Sequence, residues 1–117
     1  MRMYTILLAD DDPALLELVA TVLTDKGFTV LTARDGYEAI RILSDRHIDM
    51  MIADLMMGGL TGKELAAQAR VMRPKLRIIY MTGYGFSEEI ARHGRVVAKP
   101  IRAAELIRII KEEMSAG

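Results

Sequence analysis

Residues 4–13 read Tyr4-Thr5-Ile6-Leu7-Leu8-Ala9-Asp10-Asp11-Asp12-Pro13. An apolar run of strand length stops on three aspartates and a proline. Proline suits the first position of a helix, where its missing N–H costs nothing, and Asp12 just before it suits the N-cap. The segment that follows carries Leu15, Val19, Val22 and Leu23 at helical spacing. It ends at Lys26-Gly27, where glycine can take the left-handed cap. This unit of strand, acidic turn and helix sets the pattern for the rest of the chain.

Downstream, residues 28–33 read as a second strand, and Asp35-Gly36 turns the chain into a helix with Ala39, Ile40 and Leu43 on one face. A third strand over 48–53 ends at Asp54, and residues 55–60 form a loop containing Gly58-Gly59. Thr61 and Glu64 stand three apart, as in a capping box, and open a helix running to Met72, where Arg73-Pro74 stops it. A fourth strand over 76–81 ends at Thr82. Ser87 with Glu88 and Glu89 suggests a short helix that closes at His93-Gly94. Residues 95–98 form a fifth strand, followed by Lys99-Pro100. A last amphipathic helix places Ala103, Leu106, Ile107, Ile110 and Met114 on its buried side.

Strands alternating with helices imply an α/β protein of three layers, α/β/α, built on a five-stranded parallel sheet. The first, third and fourth strands are nearly continuous apolar runs, as expected of strands buried on both faces. The second mixes threonine with apolar residues and the fifth is short, which suits edges. The strand order 2-1-3-4-5 satisfies this pattern. In such sheets ligands bind beyond the carboxyl ends of the strands, where the winding reverses. Asp10 and Asp11 follow the first strand, Asp54 the third, Thr82 the fourth and Lys99 the fifth.

Composition narrows the field. A length of 117 residues suits one domain over 1–117, and a 51% hydrophobic content is enough for a core. Lysine plus arginine equals aspartate plus glutamate at 16 each, so no charge excess recommends direct nucleic-acid binding or an anionic membrane. There is no cysteine, hence no disulfide framework and no thiolate metal site, which accords with the cytoplasm. No apolar run approaches the roughly 18 residues of a membrane span, and the start has no signal-peptide layout. The expectation is a soluble cytoplasmic domain; the sequence contains no output domain, so it either works alone or is a fragment of something larger.

Three carboxylates converging on one edge repel one another and call for a cation. Lys99 supplies one positive charge. A hard divalent ion with oxygen ligands, Mg²⁺ above all, would supply the rest and leave coordination free for a phosphate oxygen. A carboxylate such as Asp54 can then attack phosphorus to give an aspartyl phosphate, with Lys99 and the Thr82 hydroxyl neutralising the remaining oxygens.

Four segments carry a family resemblance: Ile6-Leu7-Leu8-Ala9-Asp10-Asp11-Asp12-Pro13, Ala53-Asp54-Leu55-Met56-Met57-Gly58-Gly59-Leu60-Thr61-Gly62, Met81-Thr82-Gly83 and Ala98-Lys99-Pro100. In order and spacing they closely resemble the receiver domains of two-component response regulators. The resemblance implies a flavodoxin-like fold and a signalling switch in a phosphorelay, not an enzyme beyond its own phosphorylation and dephosphorylation. By it, Asp54 accepts a phosphoryl group from a histidine kinase or histidine phosphotransfer protein, and the signal passes by contact to a downstream protein. It implies Mg²⁺ bound directly by Asp11 and largely through water by Asp10, with Asp54 and the Met56 backbone carbonyl as further ligands. Lys99 would pair with acceptor and phosphate, Thr82 would move toward the phosphoryl group, and the Lys99-Pro100 peptide would be cis.

Three departures stand out against the family. Gly58 replaces the usual proline of the loop, which leaves it more mobile. Val96 occupies the place of a switch aromatic, with Tyr84 or Tyr80 as substitutes. The stretch between Thr82 and Lys99 is short, so the fourth helix is shortened to roughly one or two turns over 87–92. Met56 and Tyr84, each two residues past a site residue, are expected to slow hydrolysis of the phosphoryl group by their bulk.

Simpler readings compete at each position. The Asp10-Asp11-Asp12 run would alone be helix-capping acid, Met50, Met51, Met56 and Met57 are packing residues, and His47 and His93 carry no role. Among functions, Asp10-x-Asp12 faintly resembles the haloacid-dehalogenase pattern, which would make the chain a small aspartyl-phosphate phosphohydrolase. The acidic first turn lacks the glycine cradle of a nucleotide-binding domain.

Overall fold

The computed structural model describes residues 3–83, 91–92 and 94–116. In chain order the elements are β1 (Thr5–Ala9), α1 (Pro13–Asp25), β2 (Thr29–Ala33), α2 (Gly36–Asp45), β3 (Met50–Asp54), α3 (Gly62–Met72), β4 (Arg77–Thr82), β5 (Arg95–Ala98) and α4 (Ala103–Ser115). All strand pairs are parallel, in the order β2-β1-β3-β4-β5. That is the expected 2-1-3-4-5 winding. Every residue of β3 is buried, and β1 and β4 are buried past their first residue, whereas β2 and β5 lie at the half-buried edges.

Successive strand residues point to opposite faces, so a strand covered on both sides must be apolar throughout. On one face Ile6, Leu8, Met50, Ile52, Ile79 and Met81 meet Leu16, Val19 and Leu23 of α1 and Leu106, Ile109 and Ile110 of α4. On the other, Leu7, Ala9, Met51, Ala53, Ile78 and Tyr80 meet Ala39 and Leu43 of α2 and Leu65, Ala66 and Ala69 of α3. Two apolar layers thus hold the sheet, and Met50 and Met51 are core residues on opposite sides of it.

The helix ends follow the local chemistry. Asp12 caps α1 by accepting from the N–H groups of Ala14 (3.0 Å) and Leu15 (3.4 Å), and Gly27 beyond its end has φ +95°. Thr61 and Glu64 form the full capping box of α3, each side chain accepting the other's backbone N–H, at 3.1 and 3.0 Å. Two apolar stripes are rotated from their expected positions. Leu16 of α1 is buried, with Leu15 half-buried against the same layer, and Ile109 joins Ile110 in α4 while Ala103 and Met114 face solvent. Helical spacing alone does not say which side of a broad apolar stripe the sheet will cover.

The short helix expected over 87–92 falls outside the described residues except for Ala91 and Arg92, and Tyr84 and His93 lie outside them as well. Among the described residues no helix is long and apolar enough to cross a membrane.

Candidate functional site

The pairing of β1 with β3 sets Ala9 beside Ala53, so the next residues, Asp10 and Asp54, leave the sheet side by side. Both are shielded from solvent: Asp10 is 0% exposed and Asp54 4%. Asp10 Oδ1 accepts the N–H of Asp12 at 2.8 Å. Its Oδ2 lies 2.9 Å from Lys99 Nζ, an ion-pair contact whose angles do not make a directed hydrogen bond. Asp54 Oδ2 accepts from Lys99 Nζ at 3.1 Å, and its Oδ1 accepts the Met56 N–H at 3.1 Å. Lys99 in turn donates its backbone N–H to the Thr82 carbonyl at 2.8 Å, which ties the exit of β5 to the end of β4. Thr82 itself is buried, one residue past Met81, the β4 partner of Asp54. Asp11 is exposed, yet it offers a carboxylate oxygen that lies with one each from Asp10 and Asp54 inside a 4.8 Å group.

The sequence-derived residues therefore converge. Asp10, Asp11, Asp54 and Lys99 form one cluster, and Thr82 stands at the adjacent strand end. Met56 joins through its backbone N–H, while its side chain is 62% exposed rather than packed, unlike the buried Met50, Met51 and Met57. The Lys99-Pro100 peptide is cis.

Charge in this cluster is unbalanced. Three carboxylates face one ammonium. Burial is the largest influence on Asp54 and raises its carboxyl above the ordinary value; the Met56 N–H and Lys99 oppose this, and the Asp10 charge adds to it. Burial acts on Lys99 in the other direction, but its close contacts with the charged Asp10 and Asp54 carboxylates outweigh that and hold its ammonium above the usual lysine value. One lysine thus serves two buried acids without bringing Asp54 down to the ordinary carboxylate range.

A divalent cation fits what remains. The donors are hard carboxylate oxygens, the Asp10 Oδ2 lacks a directed donor, and the exposed Asp11 leaves the group open to water. Mg²⁺ takes few carboxylates and keeps several waters, and this donor set suits it.

Two features of the site were not singled out from the sequence. A Cβ on Gly62, the first residue of α3, would sit 2.4 Å from the Asp54 carbonyl oxygen and 2.8 Å from Leu55 Cα. Only glycine lets α3 start directly against the end of β3. The second feature is Tyr37, beside which the Gly58-Gly59 loop runs. Glycine after a capping threonine and an aromatic one residue into α2 are both visible in sequence, but neither announces a contact made across the fold. Of the two tyrosines considered as substitutes for an aromatic at Val96, Tyr80 is a core residue, 2% exposed and cross-strand from Val96, with Gly94 against its ring.

A buried carboxylate, an acidic pair and a lysine thus stand together at the switch point of a doubly wound sheet, where such folds bind ligands. A family model described as response regulator receiver domain matches residues 6–111, and the chain belongs to that family, a family of two-component signalling switches. It is 39% identical over 80 residues to the transcriptional regulatory protein GlrR of Escherichia coli K12, a match covering 68% of this chain and 18% of that protein. It is 27% identical to the response regulator receiver protein CpdR of Brucella abortus, over 98% of this chain and 100% of that one. Among solved structures, the response regulator TrrA of Thermotoga maritima, in complex with Mg²⁺-BeF, superposes with a TM-score of 0.87 at 30% identity, covering 95% of this chain and 99% of that one. The chain thus spans less than a fifth of GlrR, the first of these relatives. These likenesses give no support to the haloacid-dehalogenase alternative.

Proposed function

We propose that residues 1–117 act as one receiver domain whose phosphoacceptor is Asp54, phosphorylated by a histidine kinase or histidine phosphotransfer protein. The observation that carries this reading is the Lys99 ammonium set between the buried carboxylates of Asp54 (3.1 Å) and Asp10 (2.9 Å), with Asp11 completing the acidic group. In the forward step a carboxylate oxygen of Asp54 attacks the phosphorus of a phosphohistidine. A P–O bond forms, the P–N bond breaks, and its electron pair returns to the imidazole. Lys99 stays with Asp54 and takes charge from one phosphoryl oxygen, and the Thr82 hydroxyl donates to another. Held by Asp10, Asp11, Asp54 and the Met56 carbonyl, Mg²⁺ would neutralise charge on the transferred group; the complex of TrrA with Mg²⁺-BeF supports this choice of ion. Loss of the label is the attack of water on the same phosphorus, which releases phosphate and restores the carboxylate.

These two self-directed steps are all the catalysis the chain performs. Its output is a shift between arrangements of the loops around Asp54 and Thr82, read by a downstream protein in the cytoplasm without direct nucleic-acid or membrane binding. Incubation with a small phosphodonor and Mg²⁺, read by intact mass, tests the chemistry. One phosphoryl adduct on the wild type and none on Asp54→Ala is expected; an adduct on both, or sustained turnover of a phosphomonoester, would overturn it.

A further inference from the structure

The loop that follows Asp54 presents a puzzle of rigidity. It carries the Met56 N–H that holds Asp54 Oδ1, yet it contains two consecutive glycines and no proline. Around Gly58 there is open space, with nothing within 4 Å of where a Cβ would stand, and Gly59 has φ +80°. Such backbone has the widest conformational freedom of any residue type. Its order has to come from neighbours.

The first turn of α2 supplies them. Asp35 caps this turn by accepting the Glu38 N–H at 2.8 Å. Leu60, buried at the far end of the loop, seats on Gly36, where a Cβ would lie 2.6 Å from Leu60 Cβ. The next residue is Tyr37, which is 60% exposed to solvent. Its edge nevertheless closes on the loop, because a Cβ on Gly59 would lie only 2.9 Å from Tyr37 Cε2. Gly36 accepts the loop's apolar anchor while Tyr37 lies against the left-handed Gly59.

We infer that Tyr37 is a positioning residue for the metal and phosphoryl site: its ring braces the glycine loop so that Met56 is held in register with Asp54. The inference rests on the phosphoacceptor reading above and adds to it the device that replaces a stiff loop residue. A braced loop has less disorder to lose when a cation binds, so affinity is gained without a new ligand.

The test uses the intact chain with Tyr37→Ala and Tyr37→Phe. Amide hydrogen exchange without metal is expected to speed up over residues 55–60 in Tyr37→Ala, with β1 and α1 unchanged. Calorimetric titration with Mg²⁺ should show affinity weakened on the order of tenfold. Tyr37→Phe, which keeps the ring, should restore both readouts, and saturating Mg²⁺ should return Asp54 labelling of Tyr37→Ala to the wild-type level. Wild-type loop exchange and affinity in Tyr37→Ala would overturn the inference, as would a loss of protection spread over the whole fold. A wild-type chain that binds no Mg²⁺ would instead overturn the functional reading, and the loop exchange would still decide the brace.

Discussion

Asp54 stands between opposed demands. Burial and the Asp10 charge favour its protonated form, whereas the Met56 N–H and Lys99 favour the anion, and the balance leaves its carboxyl above the ordinary 3.8. The folded chain therefore holds this proton to higher pH than the unfolded chain does. Stability falls as pH rises through the window from 3.8 to the folded value, and above it the anion's full cost is present. Asp54→Asn removes that cost while Lys99 keeps Asp10. In Mg²⁺-free buffer at pH 7 the variant should be more stable than wild type, and its advantage should shrink on acidification and vanish below about 3.8. Urea unfolding across a pH series measures this; a variant less stable at pH 7 would contradict it. Lys99 does not confuse the comparison, since its raised value lies above 10.5, outside the range titrated.

At the scale of elements, the decisive junction is β3 to α3. The Thr61–Glu64 box starts the helix, and the Gly62 N–H donates to the Leu55 carbonyl at 3.2 Å. Because a methyl on Gly62 would meet backbone atoms of Asp54 and Leu55, neither of which can swing aside, Gly62→Ala must push the helix away from Asp54. The expected loss is about 1–3 kcal/mol, as for other overpacked sites, together with slower labelling of Asp54. Gly58→Ala is the matched control, since nothing lies within 4 Å of its Cβ and its φ is not positive. It should change stability by no more than about 1 kcal/mol. Urea midpoints and the rate of mass increase distinguish the two.

For the whole molecule, the proposed ion binding would be linked to folding. The cluster brings together residues 10 and 99, far apart in the chain and joined only when β1, β3 and β5 share a sheet. An unfolded chain has no such site, so Mg²⁺ held by this cluster would bind the native state alone. At 100 times its dissociation constant it should add about 2.7 kcal/mol to wild-type stability. Chelation should reverse the gain, and Asp10→Asn should lose most of it. Thermal unfolding with and without Mg²⁺ reads this out, and an equal Tm in both conditions would count against the site.

Much of this was legible before folding was considered. Continuous apolar runs in β1, β3 and β4 reveal strands covered on both faces, because a half-exposed strand would alternate. Asp12-Pro13 and the Thr61–Glu64 pair mark helix starts through local hydrogen bonding, and local rules are written in adjacent residues. The acidic pair, Asp54, Thr82 and Lys99 could be assigned to one edge once the winding was inferred. Tertiary structure alone decided that Leu16 and Ile109 face the sheet, that Lys99 bridges both buried carboxylates, that Gly62 abuts the Asp54 backbone and that Tyr37 closes on Gly59. All but the Gly62 approach, which depends on how the turn from β3 to α3 closes, are contacts between segments distant in the chain. Spacing along a sequence encodes which face a residue can share, while only packing determines what meets it there.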